Sequence, residues 1–464
     1  MKKTLLSILT LITFQISYTQ VFEGEYIRQS GNDDNRINIV IMGDGYQTSD
    51  FTKFGIDANN FVTDMFSQSP FKEYSNYFNV YIIKVPSNES GASHPGTASD
   101  EEAYNNVPVL SVDNYFGISY DSYNVHRLLY TENSAAITSV LADNFPLYDQ
   151  GLILVNSPYY GGSGGMFPIA STGDNSSEIA IHEIGHSLIN LKDEYYPGDL
   201  LAEEGINMTQ ETNSSLVKWT NWMSSNGVGI YPYGSTGSEA TWFRPHQGCK
   251  MRFLGYPFCS VCKEGIIEKI HDLVTPIDSY LPNSSLIEDP SFPLDFSLSL
   301  ITPSPNTLES TWTLNSNNFA SNVDNISLSE TDLNEENNTL TVVVTDNTPL
   351  LRVTNHETVH AYSVTWNINI STIGITEITS EENRLSISMF PNPSQDLVSF
   401  SYKSTLGSNL TVEIVSLDGK KILATDISNK ENPTIDISSF SSGVYLVNFY
   451  SNKVLIANKK LVKN

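Results

Sequence analysis

The sequence predicts an α/β region followed by β-sandwich domains, and three observations carry that prediction. Apolar, β-branched runs alternate with helically spaced segments over roughly the first 270 residues. From about residue 275 the composition turns to Ser, Thr, Asn and Pro, with short alternating strands such as Leu340-Thr341-Val342-Val343-Val344. From residue 385 the charge balance changes: 8 Lys stand against 6 Asp plus Glu, a net charge of +2 that leaves −29 on the rest of a chain whose total is −27. The divisions that follow are 1–19, 20–274, 275–383 and 384–464.

Each element has its reason. Met1-Lys2-Lys3, the apolar run over residues 5–14 and the small residues Ser17 and Thr19 form a secretory signal peptide cleaved before Gln20. That run is too short to span a bilayer, and no other segment is apolar enough to be a transmembrane span. Residues 37–42 and 78–85 read as strands, 51–66 as a helix and 151–156 as a buried strand. The loop Tyr159-Tyr160-Gly161-Gly162-Ser163-Gly164-Gly165 lacks Cβ atoms, so Gly161 and Gly162 are candidates to let an extended peptide approach; a connector is the plainer reading. Trp219, Trp222 and Trp242 fit core or rim packing better than substrate subsites.

His182-Glu183-Ile184-Gly185-His186 carries the chemistry. On a helix, residues four apart lie about 40° apart around the axis and about 6 Å along it, so both imidazoles reach one ion. Glu183 then stands beside a metal-bound water as a general base. Ser176-Ser177 supplies cap-type residues, Ile181, Ile184, Gly185 and Leu188 give an apolar face, and Asn190 tolerates the left-handed conformation that ends a helix. The third histidine of the extended form of this motif would fall at Lys192, so a carboxylate one or two positions on completes the site. Asp193 is favoured. Glu194 is the alternative ligand, or else a hydrogen-bond partner of a ligating histidine.

A second copy of the letters, His356-Glu357-Thr358-Val359-His360, precedes the alternation of Val364, Trp366, Ile368 and Ile370. Placed on that strand, its histidines would lie about 13 Å apart and could not share a metal.

The stretch HEIGHSLINLKDEYY resembles the active-site segment of the bacterial IgA-specific metallopeptidase family. The resemblance runs upstream through Asn38-Ile39-Val40-Ile41-Met42-Gly43-Asp44-Gly45-Tyr46, Ser87-Asn88-Glu89-Ser90-Gly91 and Gly151-Leu152-Ile153-Leu154-Val155-Asn156. Downstream it takes in Cys249-Lys250-Met251-Arg252 and Phe258-Cys259-Ser260-Val261-Cys262, and so covers about residues 35–270. One departure is Ile189-Asn190, where that family usually has glycine. The resemblance implies a zincin-like α+β catalytic domain, with a mixed sheet and an active-site helix, that binds one Zn2+ and cleaves proteins or peptides. The competing class is a surface-displayed binding protein that keeps this scaffold without turnover. Tyr195 and Tyr196 are candidates to stabilise the oxyanion or to contact substrate.

Three cysteines in an exported chain predict one disulfide, from Cys249 to Cys259 or Cys262, with a thiol left over. The alternative is a structural zinc site of the form HxxC then CxxC, made by His246, Cys249, Cys259 and Cys262. Nothing else in the sequence supports a structural Ca2+ or a second Zn2+. Met251 suits either a methionine turn beneath the zinc or ordinary core packing.

The acidic balance excludes nucleic acid and anionic membrane surfaces as partners, since both demand clustered Lys and Arg. The region 275–383 reads as a β-sandwich spacer without chemistry of its own. Phe390-Pro391-Asn392-Pro393, Asp418-Gly419-Lys420, Gly443-Val444-Tyr445 and Lys459-Lys460 resemble the C-terminal sorting domain of type IX secretion. That resemblance implies the secretion machinery as partner and a secreted or outer-membrane-attached location. The absence of Trp beyond residue 366 argues against a carbohydrate-binding module.

Overall fold

The computed structural model describes residues 20–104, 106–195, 202–334, 337–370, 387–402, 410–428, 430 and 432–464. The signal peptide and Tyr196 lie outside them. The chain packs as two compact units: one comprises residues up to 286 with 292–332 and 339–367, the other 287–291, 333–338 and 368–464.

The first unit is built on a six-stranded mixed sheet. In chain order its strands are β1 (Gly24–Arg28), β2 (Ile37–Asp44), β3 (Phe78–Ile83), β4 (Gln150–Val155), β5 (Gly162–Ser163) and β6 (Ile169–Ser171), ordered β1-β3-β2-β4-β6-β5 across the sheet. β3, β2, β4 and β6 run parallel, and β1 and β5 close the edges antiparallel. Every residue of β2 is buried, as a parallel strand covered on both faces requires. Its side chains divide by the two-residue period. Ile37, Ile39 and Ile41 enter one core and Val40 and Met42 the other.

Four helices supply the covering layers: α1 (Phe51–Phe66), α2 (Ser134–Asn144), α3 (Ser176–Ser187) and α4 (Ser260–Leu273). In α1 the buried set Phe54, Ala58, Phe61 and Met65 keeps the helical spacing the sequence predicts. The first core holds α1, α3 and α4, and the second holds Ile137, Val140 and Leu141 of α2. Burial of each large apolar side chain stabilises the fold by about 1.5–3 kcal/mol. Trp219 and Trp222 are core residues at 1% and 2% exposure, so they line no subsite, while Trp242 is half-buried.

Beyond α4 the described residues are mainly strands, with short helical turns at Glu330–Asp332 and His356–Val359. Tyr362–Asn369, Asn337–Asp346, Leu308–Leu314 and Asn317–Ser321 neighbour one another in that order, and Asn325–Leu328, Leu294–Leu300 and Ile277–Leu281 form a smaller sheet. Trp312 and Trp366 stack between them with centroids 5.9 Å apart, and Phe296 meets Trp366 edge-on. Packing does not break near residue 274. The buried Asp346 carboxylate accepts from Tyr74 Oη at 2.6 Å and lies 3.0 Å from His271 Nε2, and Arg36 pairs with Asp278 at 2.7 Å.

In the second unit, Ile387–Phe390, Leu397–Tyr402 and Thr434–Asp436 form one sheet; Lys421–Asp426, Leu410–Ser416, Gly443–Ser451 and Val454–Lys463 form another. Alternate residues such as Val398, Phe400, Val412, Ile414, Val447 and Phe449 make its core.

Candidate metal centre and active-site cleft

Helix α3 carries the first HExxH. Its N-cap is Asn175 in the left-handed region, and Ser176, expected as a cap, is already its first helical residue. Ala180, Ile181 and Ile184 fix the helix to the core. At the other end Asn190 has φ +65°, and Leu191 N–H donates to Gly185 O at 2.9 Å. This left-handed close reverses the chain as the sequence predicts. The returning segment is then held from both sides: Lys192 and Asn207 exchange two hydrogen bonds of 2.8 Å, and Glu194 N–H donates to Met251 O at 2.7 Å.

This return brings Asp193 to the two histidines. Asp193 Oδ1 lies 3.0 Å from His182 Nε2 and 3.2 Å from His186 Nε2, and the two Nε2 atoms are 3.1 Å apart. The other ring nitrogens face backbone carbonyls, His182 Nδ1 at Lys250 O (3.0 Å) and His186 Nδ1 at Leu191 O (2.6 Å). Those carbonyls demand a proton on each Nδ1, which leaves both Nε2 atoms as lone-pair acceptors. Three lone-pair atoms thus converge within hydrogen-bond distance with no proton between them. Such a donor set repels itself unless a cation sits at its centre, and it suits a transition metal such as zinc.

The electrostatics match. Burial works against charge on Asp193, yet the His182 and His186 rings beside it outweigh burial and hold the carboxyl down at about 2. Burial favours the neutral ring of His186, but the Asp193 and Glu183 carboxylates raise its pKa. Burial also raises Glu183. Its Oε2 is 4.0 Å from His186 Nε2, close to the donor set without joining it.

The glycine-rich loop meets the site at a different glycine from those expected. A Cβ on Gly164 would fall 2.0 Å from Glu183 Oε2, so any larger residue there would push the Glu183 carboxylate aside. Gly161 and Gly162 are buried against Tyr120, Ile169 and Ile179, and offer no face to a ligand. Met251 is buried beneath α3, and a Cβ on Gly185 would lie 3.0 Å from its Sδ. It therefore packs directly below the segment between the two histidines.

A cleft of about 330 Å³ opens over this centre, lined by His182, Glu183, Tyr195, Arg127, Ile179, Lys250, Arg252, Phe253 and Leu254. Tyr195 is 41% exposed, with its ring centroid 6.5 Å from that of His182. Arg127 brings a guanidinium to the rim. No motif marked it in the sequence, because it arrives from a loop more than fifty residues away.

Two expectations are corrected here. The cysteines form no disulfide: all three are free and buried, and Cys249 and Cys262 are 3.6 Å apart at sulfur, against about 2.05 Å for a bond. Glu194 is neither a ligand beside Asp193 nor a partner of its histidines. It is fully buried among the cysteines, where burial pushes its carboxyl well above the usual carboxylate range. His246 stays apart from that cluster and accepts from Gly248 N–H at 2.9 Å.

The second HExxH is also corrected. Residues His356–Val359 make one helical turn ahead of the strand, closed by Val359 N–H donating to Asn355 O at 2.9 Å. The rings of His356 and His360 are 5.2 Å apart, not at strand spacing, and both face Glu268 of α4 at 2.5 and 3.3 Å. The alternation that suggested a strand begins at Tyr362.

Residues 26–233 match the model of the IgA Peptidase M64 family, and residues 388–464 that of the secretion system C-terminal sorting domain. No curated protein sequence matches the chain. Among solved structures, the fibronectin(III)-like modules of Clostridium thermocellum CbhA align at 9% identity over 40% of this chain and 93% of theirs, with a TM-score of 0.14. A Parabacteroides merdae beta-glucuronidase aligns at 9% identity over 49% and 28%, at 0.15. Dimeric latent PorU from Porphyromonas gingivalis aligns at 13% over 40% and 20%, at 0.14. Such likenesses are too slight to bear on the fold. With the site in place, residues 26–233 are thus similar to the IgA Peptidase M64 family and residues 388–464 to secretion system C-terminal sorting domains.

Proposed function

We propose that the chain is an exported zinc-dependent endopeptidase, with its catalytic residues within 20–274, a β-sandwich over 275–383 and a sorting domain over 384–464. The observation that carries this reading is the convergence of His182 Nε2, His186 Nε2 and Asp193 Oδ1 beside Glu183. Those three atoms would hold the zinc, and Glu183 would be the base. A bound zinc ion supplies Lewis acidity and a water whose pKa falls toward about 7.

The chain's own residues supply the rest. Glu183 is partly buried beside the donor set, where its carboxylate accepts the proton of the attacking water and passes it to the leaving amine. Lys250 O and Leu191 O fix the tautomers that aim both Nε2 atoms inward. Tyr195 and Arg127 line the cleft as groups able to donate to a developing oxyanion or to orient substrate. The sorting domain directs export through type IX secretion, to the medium or the cell surface.

The test is cleavage of a proteome-derived peptide library by the full exported chain, with and without a chelator. Internal peptide bonds cut only in the metal-loaded sample support the proposal. Cleavage untouched by chelation, or peptide binding without cleavage, would overturn it, and the second outcome would point to a binding protein. The library also reads out specificity, since the immunoglobulin in the family's name describes relatives.

A further inference from the structure

We infer that Cys249, Cys259, Cys262 and Glu194 form a second, structural metal site for a zinc-type cation beneath the active-site helix. The four donor atoms all lie within 4.8 Å of one another in a buried pocket. Bonds of about 2.3 Å in a tetrahedral thiolate site put sulfurs about 3.8 Å apart, and Cys249 and Cys262 stand at 3.6 Å. Glu194 Oε1 is 3.3 Å from Cys262 Sγ and is oriented by Asn207 Nδ2 at 2.9 Å. Its other oxygen, Oε2, is buried without a hydrogen-bond partner among the described residues. A carboxylate enclosed in that way costs several kcal/mol unless a cation meets it. Cys259 and Cys262 sit at the N-cap and first turn of α4, where the helix dipole favours thiolate, and Cys259 N–H points at Cys249 Sγ at 3.3 Å. A metal also accounts for an odd number of unpaired thiols in an exported chain.

The site would brace the active centre. Glu194 follows Asp193 directly, and Cys249 precedes Lys250, whose carbonyl holds His182. The experiment is a mercurial titration of the native full chain, with released metal followed by a chromophoric chelator. Reaction of three thiols should release one metal equivalent. The cobalt-substituted protein should show a thiolate-to-metal charge-transfer band that survives His182→Ala and disappears in Cys262→Ser. Thiols that titrate without releasing metal, a mass that reveals a disulfide, or cobalt protein without the band would overturn the inference. The titration and the band on the unaltered chain decide the matter even if Cys262→Ser fails to fold.

A different cluster carries a second proposal independently. We propose that His94, Glu101, Asp121 and His126 bind a transition-metal ion that pins the loops between β3 and α2. His94 Nδ1 faces Pro108 O at 2.9 Å, which leaves its Nε2 as a lone pair 2.8 Å from Glu101 Oε1 and 3.5 Å from Asp121 Oδ1. Among the described residues, neither that Nε2 nor Asp121 Oδ1 makes a hydrogen bond, although both are buried. Asp121 Oδ2 is taken by Thr97 N–H at 2.8 Å, so only Oδ1 remains to ligate. His126 Nδ1 lies 3.3 Å from both carboxylates. The two rings stand 4.8 Å apart at 89°, closely matching the 4.8 Å and 83° of His182 and His186. Imidazole ligands select a transition metal over calcium. The pinned loop bears Arg127, whose carbonyl accepts from Gly162 N–H at 3.0 Å and whose side chain lines the cleft. Metal analysis should find one equivalent lost in His94→Ala while the thiolate band persists. Histidine-labelled unaltered chain should show the His94 and His126 ring nitrogens shifting when zinc is restored. Unchanged metal content in a folded His94→Ala variant, or ring nitrogens indifferent to zinc, would overturn the proposal.

Discussion

Asp193 and Glu194 are adjacent, yet their carboxylates join different side-chain clusters: Asp193 Oδ1 lies 3.0 Å from His182 Nε2, and Glu194 Oε1 lies 3.3 Å from Cys262 Sγ. Extended backbone turns successive side chains to opposite sides, and the Asn207 and Met251 hydrogen bonds fix which side each takes. Asp193→Ala should therefore raise the zinc concentration needed to restore peptidase activity by more than about 100-fold, the ceiling for loss of a supporting partner. Glu194→Gln should raise it by about 10- to 100-fold at most. Reconstitution titrations giving the opposite order would sink this division of labour.

Glu183→Gln should keep its metal, because the three converging atoms are untouched. Turnover should fall by about 10² to 10⁴, the usual worth of positioned proton transfer. Metal analysis and a peptide assay on one preparation check it; metal lost together with activity would show that Glu183 ligates.

Lys250 is 1% exposed and pairs with Glu178, which also accepts from Gly255 N–H at 2.8 Å and Gln68 Nε2 at 2.7 Å. Lys250→Met leaves that carboxylate without its cation, so stability should drop by about 3 kcal/mol. Adding Glu178→Gln should recover part of the loss. Denaturant midpoints of the single and double variants decide it, and a neutral single variant would contradict the assigned pairing.

Acid should strip the catalytic metal early. A protonated ring cannot ligate, and Asp193 and Glu183 raise His186 against the effect of burial. The proton therefore competes with metal more strongly than at an ordinary histidine, so zinc should be lost as pH falls, at a pH set jointly by this ring and by the zinc affinity. Zinc content after dialysis across a pH series measures this; zinc content independent of pH down to strong acid would contradict it.

Deleting residues 385–464 removes the matched sorting domain. The truncated enzyme should remain active and accumulate in the periplasm of the native host. Fractionation with a peptidase assay checks both parts, and normal appearance in the medium would refute the sorting role.

Where the argument was local, the sequence was legible. The α3 motif, the left-handed Asn190, and strands over residues 37–42 and 151–156 all follow from side-chain period and single-residue conformational preference. The second HExxH shows the limit of period. Its neighbours alternate from Tyr362 onward, but the turn before them depends on Asn355 O accepting from Val359 N–H, and on α4 presenting Glu268 to both rings.

What the sequence determined by itself was the HExxH motif on its helix, the α/β-then-β order, and the likeness of the tail to a sorting domain, because each rests on residues close together in the chain. Only the tertiary structure decided where Glu194 points, that three cysteines gather around it without a disulfide, that His94, Glu101, Asp121 and His126 converge, and that Arg127 reaches the cleft. Those groupings join positions tens of residues apart. Their placement is set by packing on both faces of the six-stranded sheet, which no local pattern of residues records.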